Sequence, residues 1–74
     1  MSDITGSQIR MARGFLRWSV SELAKRSGVG SSTIKRAEAT DIVPSITKPN
    51  LAAIRRALEE TGIQFSDRSI IIPE

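Results

Sequence analysis

This sequence predicts an all-α fold in which four short helices share one core and a β-prone tail follows at the C-terminus. Three observations carry that prediction. Apolar residues recur at helical spacing through four separate segments. Capping residues stand at the boundaries of those segments, with Ser19, Gly28 and Thr47 the plainest. The last stretch, "IQFSDRSIIIPE", sets β-branched and aromatic residues on both sides of a polar turn. A chain of 74 residues forms one small domain of this kind only if its helices pack together. The expected division is a helical domain over residues 1–65 and a tail over 66–74.

The first helical pattern runs from about Gly6 to Arg17, with Thr5 or Ser7 as N-cap. Ile9, Ala12, Arg13 and Leu16 fall on one face, and Met11 and Phe15 form a second apolar strip suited to another neighbour. Trp18 anchors the turn that follows. Ser19 then opens the second helix with Glu22 three residues on, the spacing of a capping box. Val20, Leu23 and Ala24 supply its apolar face, and Gly28 ends it as a residue of positive φ. Val29 is the apolar plug of the turn, and Gly30 or Ser31 starts a third helix through about Ala39. After the connection "TDIVPSITKPN", Thr47 caps a fourth helix with Pro49 in its first turn. Leu51, Ile54 and Leu58 line one face of that helix until Gly62. Ile63 and Phe65, a polar turn at Ser66–Arg68, and Ile70–Ile72 then read as a strand or short hairpin.

Composition narrows the function. At 39% apolar and 26% charged, the chain has the balance of an ordinary soluble domain. No run of eighteen apolar residues offers a membrane span, and the first twenty residues lack the apolar core of a secretory signal. A cytoplasmic protein is expected. Cysteine and histidine are both absent, which removes disulfides, Cys/His zinc sites and imidazole or thiolate catalysis. No metal, cofactor or small-molecule ligand is expected, and neither is an enzyme, since no nucleophile–base pair or paired acids converge. Net charge is +3, with +4 over residues 1–50 and −1 over residues 51–74. A basic excess of this size alone fits either a solvated surface or an anionic partner, so placement decides.

Placement points to the third helix. With Ile34 at the centre of the inward face, Ala37 lies about 60° to one side and Glu38 about 40° to the other. The outward stripe is then Ser32, Lys35, Arg36 and Ala39, with Ser31 near its leading end. Two short helices joined by a glycine turn make a helix-turn-helix, whose second helix enters the DNA major groove. There an arginine can give guanine O6 and N7 two coplanar hydrogen bonds, and a serine can serve a base edge or a phosphate. Two charges face inward as well, Arg13 on the first helix and Glu38 on the third. A lone buried charge is costly, so the two are expected to pair rather than snorkel separately to water.

The stretch "LAKRSGVGSSTIKRAE" resembles the motif of the Cro and lambda-repressor type (Xre family) helix-turn-helix regulators. The resemblance runs from about Ser7 to Phe65. It takes in Arg13, Leu23–Ala24, Gly28–Val29, Ile34 and Glu38, and "PNLAAIRRALEETGIQF" is similar to the fourth helix and following segment of bacterial members. It implies a compact bundle of four to five short helices, the Arg13–Glu38 pair, and base contacts from Ser31, Ser32 and Arg36, beside which Lys35 lies on the same stripe. It also implies phosphate contacts from Ser19, Thr47 and Lys48, to which Arg10 on the first helix is added. Two residues depart from the family pattern. Val20 stands where a glutamine often braces the recognition helix, so that contact is missing or replaced. Ala39–Thr40 stands where a glycine commonly follows, so the third helix runs a turn longer or ends differently.

The expected function is therefore sequence-specific binding of double-stranded DNA in transcription regulation. Two copies on a two-fold site are expected, because one such domain makes few base contacts. Ile70, Ile71 and Ile72 are the candidate dimerisation residues, since a solvated strand edge there leaves apolar surface exposed. The alternative for the tail is that it folds back on Met11 and Phe15 of its own chain. The rival function is a protein-interaction module of antitoxin or anti-repressor type, favoured by Val20 and the modest charge, opposed by Lys35 and Arg36.

Overall fold

Side chains at the helix starts set the boundaries of the structure. A computed structural model describes residues 3–73. It contains four helices, α1 (Gly6–Leu16), α2 (Val20–Ser27), α3 (Ser31–Glu38) and α4 (Lys48–Glu59), then strands β1 (Gln64–Phe65) and β2 (Ile70–Ile71). The strands pair antiparallel, with Gln64 opposite Ile71 and Phe65 opposite Ile70. Among the described residues no helix is long and apolar enough to cross a membrane.

α1 begins at Thr5, whose hydroxyl accepts from the Gln8 amide at 3.1 Å while Gln8 Oε1 accepts from the Thr5 amide at 2.9 Å. This reciprocal capping box belongs to Thr5–Gln8. At Ser19 only half of one forms. The Ser19 hydroxyl accepts from the Glu22 amide at 3.0 Å, but the Glu22 carboxylate turns to Arg26 one turn on, 2.6 Å away. A charged partner at i+4 is a stronger draw than a neutral amide. Thr47 caps α4 by accepting from the Asn50 amide, and Pro49 sits in the first turn.

α2 ends as its glycine requires. Gly28 has φ 75°, a left-handed conformation that lets its amide close on the Ala24 carbonyl at 2.9 Å. Val29 fills the turn and is buried, and Gly30 leads into α3. α3 stops without a left-handed residue. Ala39 stays right-handed and its amide bonds the Arg36 carbonyl three residues back, tightening the last turn. The helix thus ends differently, as Ala39–Thr40 in place of glycine allowed, and no longer than expected.

Helices of eight residues are not stable alone, so the core has to hold them. Ile9 and Ala12 of α1, Leu23 of α2, Ile34 and Ala37 of α3, and Leu51, Ile54, Ala57 and Leu58 of α4 meet in one buried cluster with Ile4, Val29 and Ile63. Full burial of each Ile or Leu contributes roughly 1.5–3 kcal/mol. α2 packs on both α3 and α4, and α1 lies against α3, α4 and β2. α1 approaches the chain after α3 so closely that Gly6 has no room for a side chain. Its amide bonds the Ile42 carbonyl at 3.0 Å, and a Cβ there would overlap the carbonyl oxygens of Ala37 and Thr40.

The hairpin folds back onto its own chain, through Gln8 rather than through Met11 and Phe15. The buried Gln8 amide donates to the Ser66 and Ser69 carbonyls, pinning the β1–β2 turn to the first turn of α1. Met11 and Phe15, expected to meet a second neighbour, lie outside the buried cluster and are 38% and 45% exposed. Ile70 is half-buried against the core, whereas Ile71 and Ile72 are about half exposed.

Candidate nucleic-acid interface

The orientation of α3 follows from what its inner face binds. Ile34 and Ala37 are wholly buried, and Glu38, at 8% exposure, is the helix's one buried charge. Arg13 meets Glu38 in a two-pronged ion pair, Nε to Oε2 and Nη2 to Oε1, both 2.8 Å. Its remaining Nη1 donates to the Trp18 carbonyl at 2.9 Å, so one guanidinium joins α1, α3 and the turn leading into α2. The hydrogen bonds to Glu38 raise the Arg13 pKa, burial opposes them, and the carboxylate charge adds to the rise. The two inward charges therefore pair and neither snorkels.

With that face fixed inward, Ser32, Lys35, Arg36 and Ala39 are exposed on the outward side of α3, and Ser31 is half-exposed at its start. Ser19, Thr47 and Lys48 are also exposed, at the heads of α2 and α4. Arg10 is differently placed. Its guanidinium donates to the Asp41 carboxylate, the Glu38 and Thr40 carbonyls and Ser7 Oγ, tying α1 to the chain that leaves α3. Val20, where the family resemblance expects a glutamine, is half-buried against the core. Nearby, Arg26 lies over the Trp18 ring at 4.3 Å while bonded to Glu22, a stack that ties α2 to the turn before it.

Charge is sorted along the chain. Between residues 17 and 48 every carboxylate is matched: Glu22 by Arg26, Glu38 by Arg13 and Asp41 by Arg10. In the same span Arg17, Lys25, Lys35, Arg36 and Lys48 make no ion pair or side-chain hydrogen bond among the described residues. Outside it, Asp3, Glu60 and Asp67 are the described carboxylates left without an ion pair. Two adjoining helices with their flanks thus carry unpaired cations and no unpaired carboxylate among the described residues, while outside them unpaired groups of both signs occur, Arg56 and Arg68 beside Asp3, Glu60 and Asp67. Such a surface attracts a polyanion.

Sequence reasoning passed over Arg17 and Lys25. Nothing in the helical pattern marks Lys25, and Arg17 counts there as the last residue of α1. The structure instead makes it the C-cap, with φ 59° and ψ 33°. No family model, no curated protein and no solved structure matches this chain.

Proposed function

We propose that the chain is a sequence-specific, duplex-DNA-binding transcriptional regulator of the Cro and lambda-repressor type, with α2, the Gly28–Gly30 turn and α3 as its helix-turn-helix. One observation carries the reading: the outward stripe of α3 holds exposed, unpaired Lys35 and Arg36 beside Ser32, on a helix anchored from behind by Ile34, Ala37 and the Arg13–Glu38 pair. An α-helix of this kind fits the major groove and brings serine, lysine and arginine to base edges. Ser19, Thr47 and Lys48 flank it at two helix starts, where amides and a cation suit phosphate. Lys and Arg supply most of the affinity through counterion release, and the groove helix supplies choice of sequence.

Two copies on a two-fold operator complete this reading, and exposed Met11, Phe15, Ile71 and Ile72 give a second copy apolar surface to cover. The setting is the cytoplasm, where such a regulator meets DNA. Selection from random duplexes at two salt concentrations tests the proposal. An enriched palindrome is the expected result. Binding that is uniform over sequence and lost with salt would refute sequence reading, and no binding at all would leave a protein-interaction module of antitoxin or anti-repressor type.

A further inference from the structure

Lys35 and Arg36 stand in the last turn of α3, so whatever fixes that turn fixes where they point. A helix leaves its last carbonyls without amides of its own, and a left-handed glycine commonly folds the chain back to serve them. α3 has no such residue. Ala39 is right-handed, and the positive-φ positions among the described residues are Arg17, Gly28 and Gly62, none of them at this end. The Ala39 amide reaches the Arg36 carbonyl at 3.3 Å.

The Glu38 carbonyl, last of the helix, is served from α1 instead. Arg10 Nη1 donates to it and, at 3.4 Å, to the Thr40 carbonyl. Arg10 Nη2 donates to the Asp41 carboxylate and, at 3.3 Å, to Ser7 Oγ. A cationic donor suits the negative end of a helix dipole, and charge-assisted hydrogen bonds are the strong ones. The Arg10–Asp41 pair itself lies in water, 40% and 80% exposed, so it adds little stability. Its effect is to aim the guanidinium. With Nη2 held by Asp41 and Ser7, the rigid planar fork turns Nη1 onto the carbonyls. One turn earlier on α1, the Gly6 amide grips the same departing segment at the Ile42 carbonyl.

We propose that Arg10 is a positioning residue of the recognition helix: it caps α3 from α1, and with Asp41 it sets the pose of Lys35 and Arg36 instead of meeting DNA phosphate itself. This rests on the DNA-binding reading and goes beyond it, naming what closes a recognition helix that lacks a glycine cap. Wild type, Arg10→Ala and the double variant Arg10→Ala with Thr40→Gly are titrated against the duplex enriched by selection and a scrambled one. The titrations cover a salt series, at a temperature where melts show all three proteins folded. Arg10→Ala is expected to lower preference for the selected duplex by about fivefold or more, the discrimination of one weak base contact, with the salt slope unchanged. Thr40→Gly is expected to restore most of that preference, because it offers α3 a left-handed cap of its own. If Arg10→Ala instead weakens both duplexes alike and lowers the slope by about one, Arg10 is a phosphate anchor and the proposal is overturned. Equal weakening with the slope kept, or no change at all, overturns it too, since the pose of α3 then does not depend on Arg10. So does a preference that Thr40→Gly fails to restore. A wild type without a preferred duplex removes the DNA-binding reading instead. The cap is then judged on the melts, where Thr40→Gly must recover stability lost in Arg10→Ala.

Discussion

Removing Arg13 should unfold this domain more readily than any surface change. Glu38 is only 8% exposed and both its oxygens are bonded to Arg13, whose side chain is 25% exposed. Arg13→Ala leaves that carboxylate buried without a cation, and it also frees the Trp18 carbonyl. Breaking a buried pair costs about 3–5 kcal/mol. Because a quarter of the Arg13 side chain reaches solvent, the lower end applies, about 3 kcal/mol. Domains of this size shift by about 4–8 °C per kcal/mol, so the melting temperature should drop by at least about 12 °C. Glu38→Ala should lose less, since the freed guanidinium can turn towards water, and the double variant should fall short of the sum. Thermal melts of the four proteins measure the coupling. Single losses that add to within about 0.5 kcal/mol would refute the argument. The pH dependence has a defined sign. A cation whose pKa rises on folding stabilises fully below its unfolded pKa and loses that contribution only as pH climbs through the folded one. For Arg13, already high and raised further, that window lies in strong alkali. Its contribution to the coupling should therefore be the same at about pH 7 and pH 9.

Three further outcomes follow from the same geometry. Arg36→Ala should weaken binding to a selected operator by about 1–3 kcal/mol and flatten preference at one base pair, whereas Lys48→Ala should weaken all duplexes alike and lower the salt slope by about one. Titrating both variants against the selected site and a scrambled one checks this, and equal losses on the two DNAs for Arg36→Ala would make it a phosphate anchor. Gly6→Ala should destabilise by at least the 1–3 kcal/mol typical of overpacking, because the colliding atoms are backbone carbonyls that cannot rotate away; a denaturant melt measures it. Ile72→Lys should leave the fold intact and shift sedimentation from dimer towards monomer, since Ile72 is 48% exposed; a wild-type monomer at working concentration would remove dimerisation through the tail.

Most of the helical framework was legible in the sequence because its determinants are local. A cap such as Ser19 or Thr47, a glycine at the end of α2 and an apolar repeat within α3 act over four residues or fewer. The inward charges were legible for a similar reason. Helical periodicity alone places Arg13 and Glu38 on buried faces, and burial then demands a partner. The outward stripe of Ser32, Lys35 and Arg36 is the complement of that same periodicity.

What tertiary structure alone decided are contacts between parts distant in sequence. The cap of α1 is itself local, a capping box from Thr5 to Gln8 three residues on. What only the fold adds is that the Gln8 amide nitrogen reaches the Ser66 and Ser69 carbonyls of the hairpin. Arg10 looks like any exposed helical arginine until the chain leaving α3 arrives with Asp41 and two carbonyls. Gly6 looks like an ordinary first-turn residue until that chain crosses over it. Met11 and Phe15 stand at core-like spacing, yet the hairpin hydrogen-bonds Gln8 and the two stay outside the buried core, 38% and 45% exposed. Periodicity reports which face of a helix a residue occupies; only the docking of another segment decides whether that face is covered.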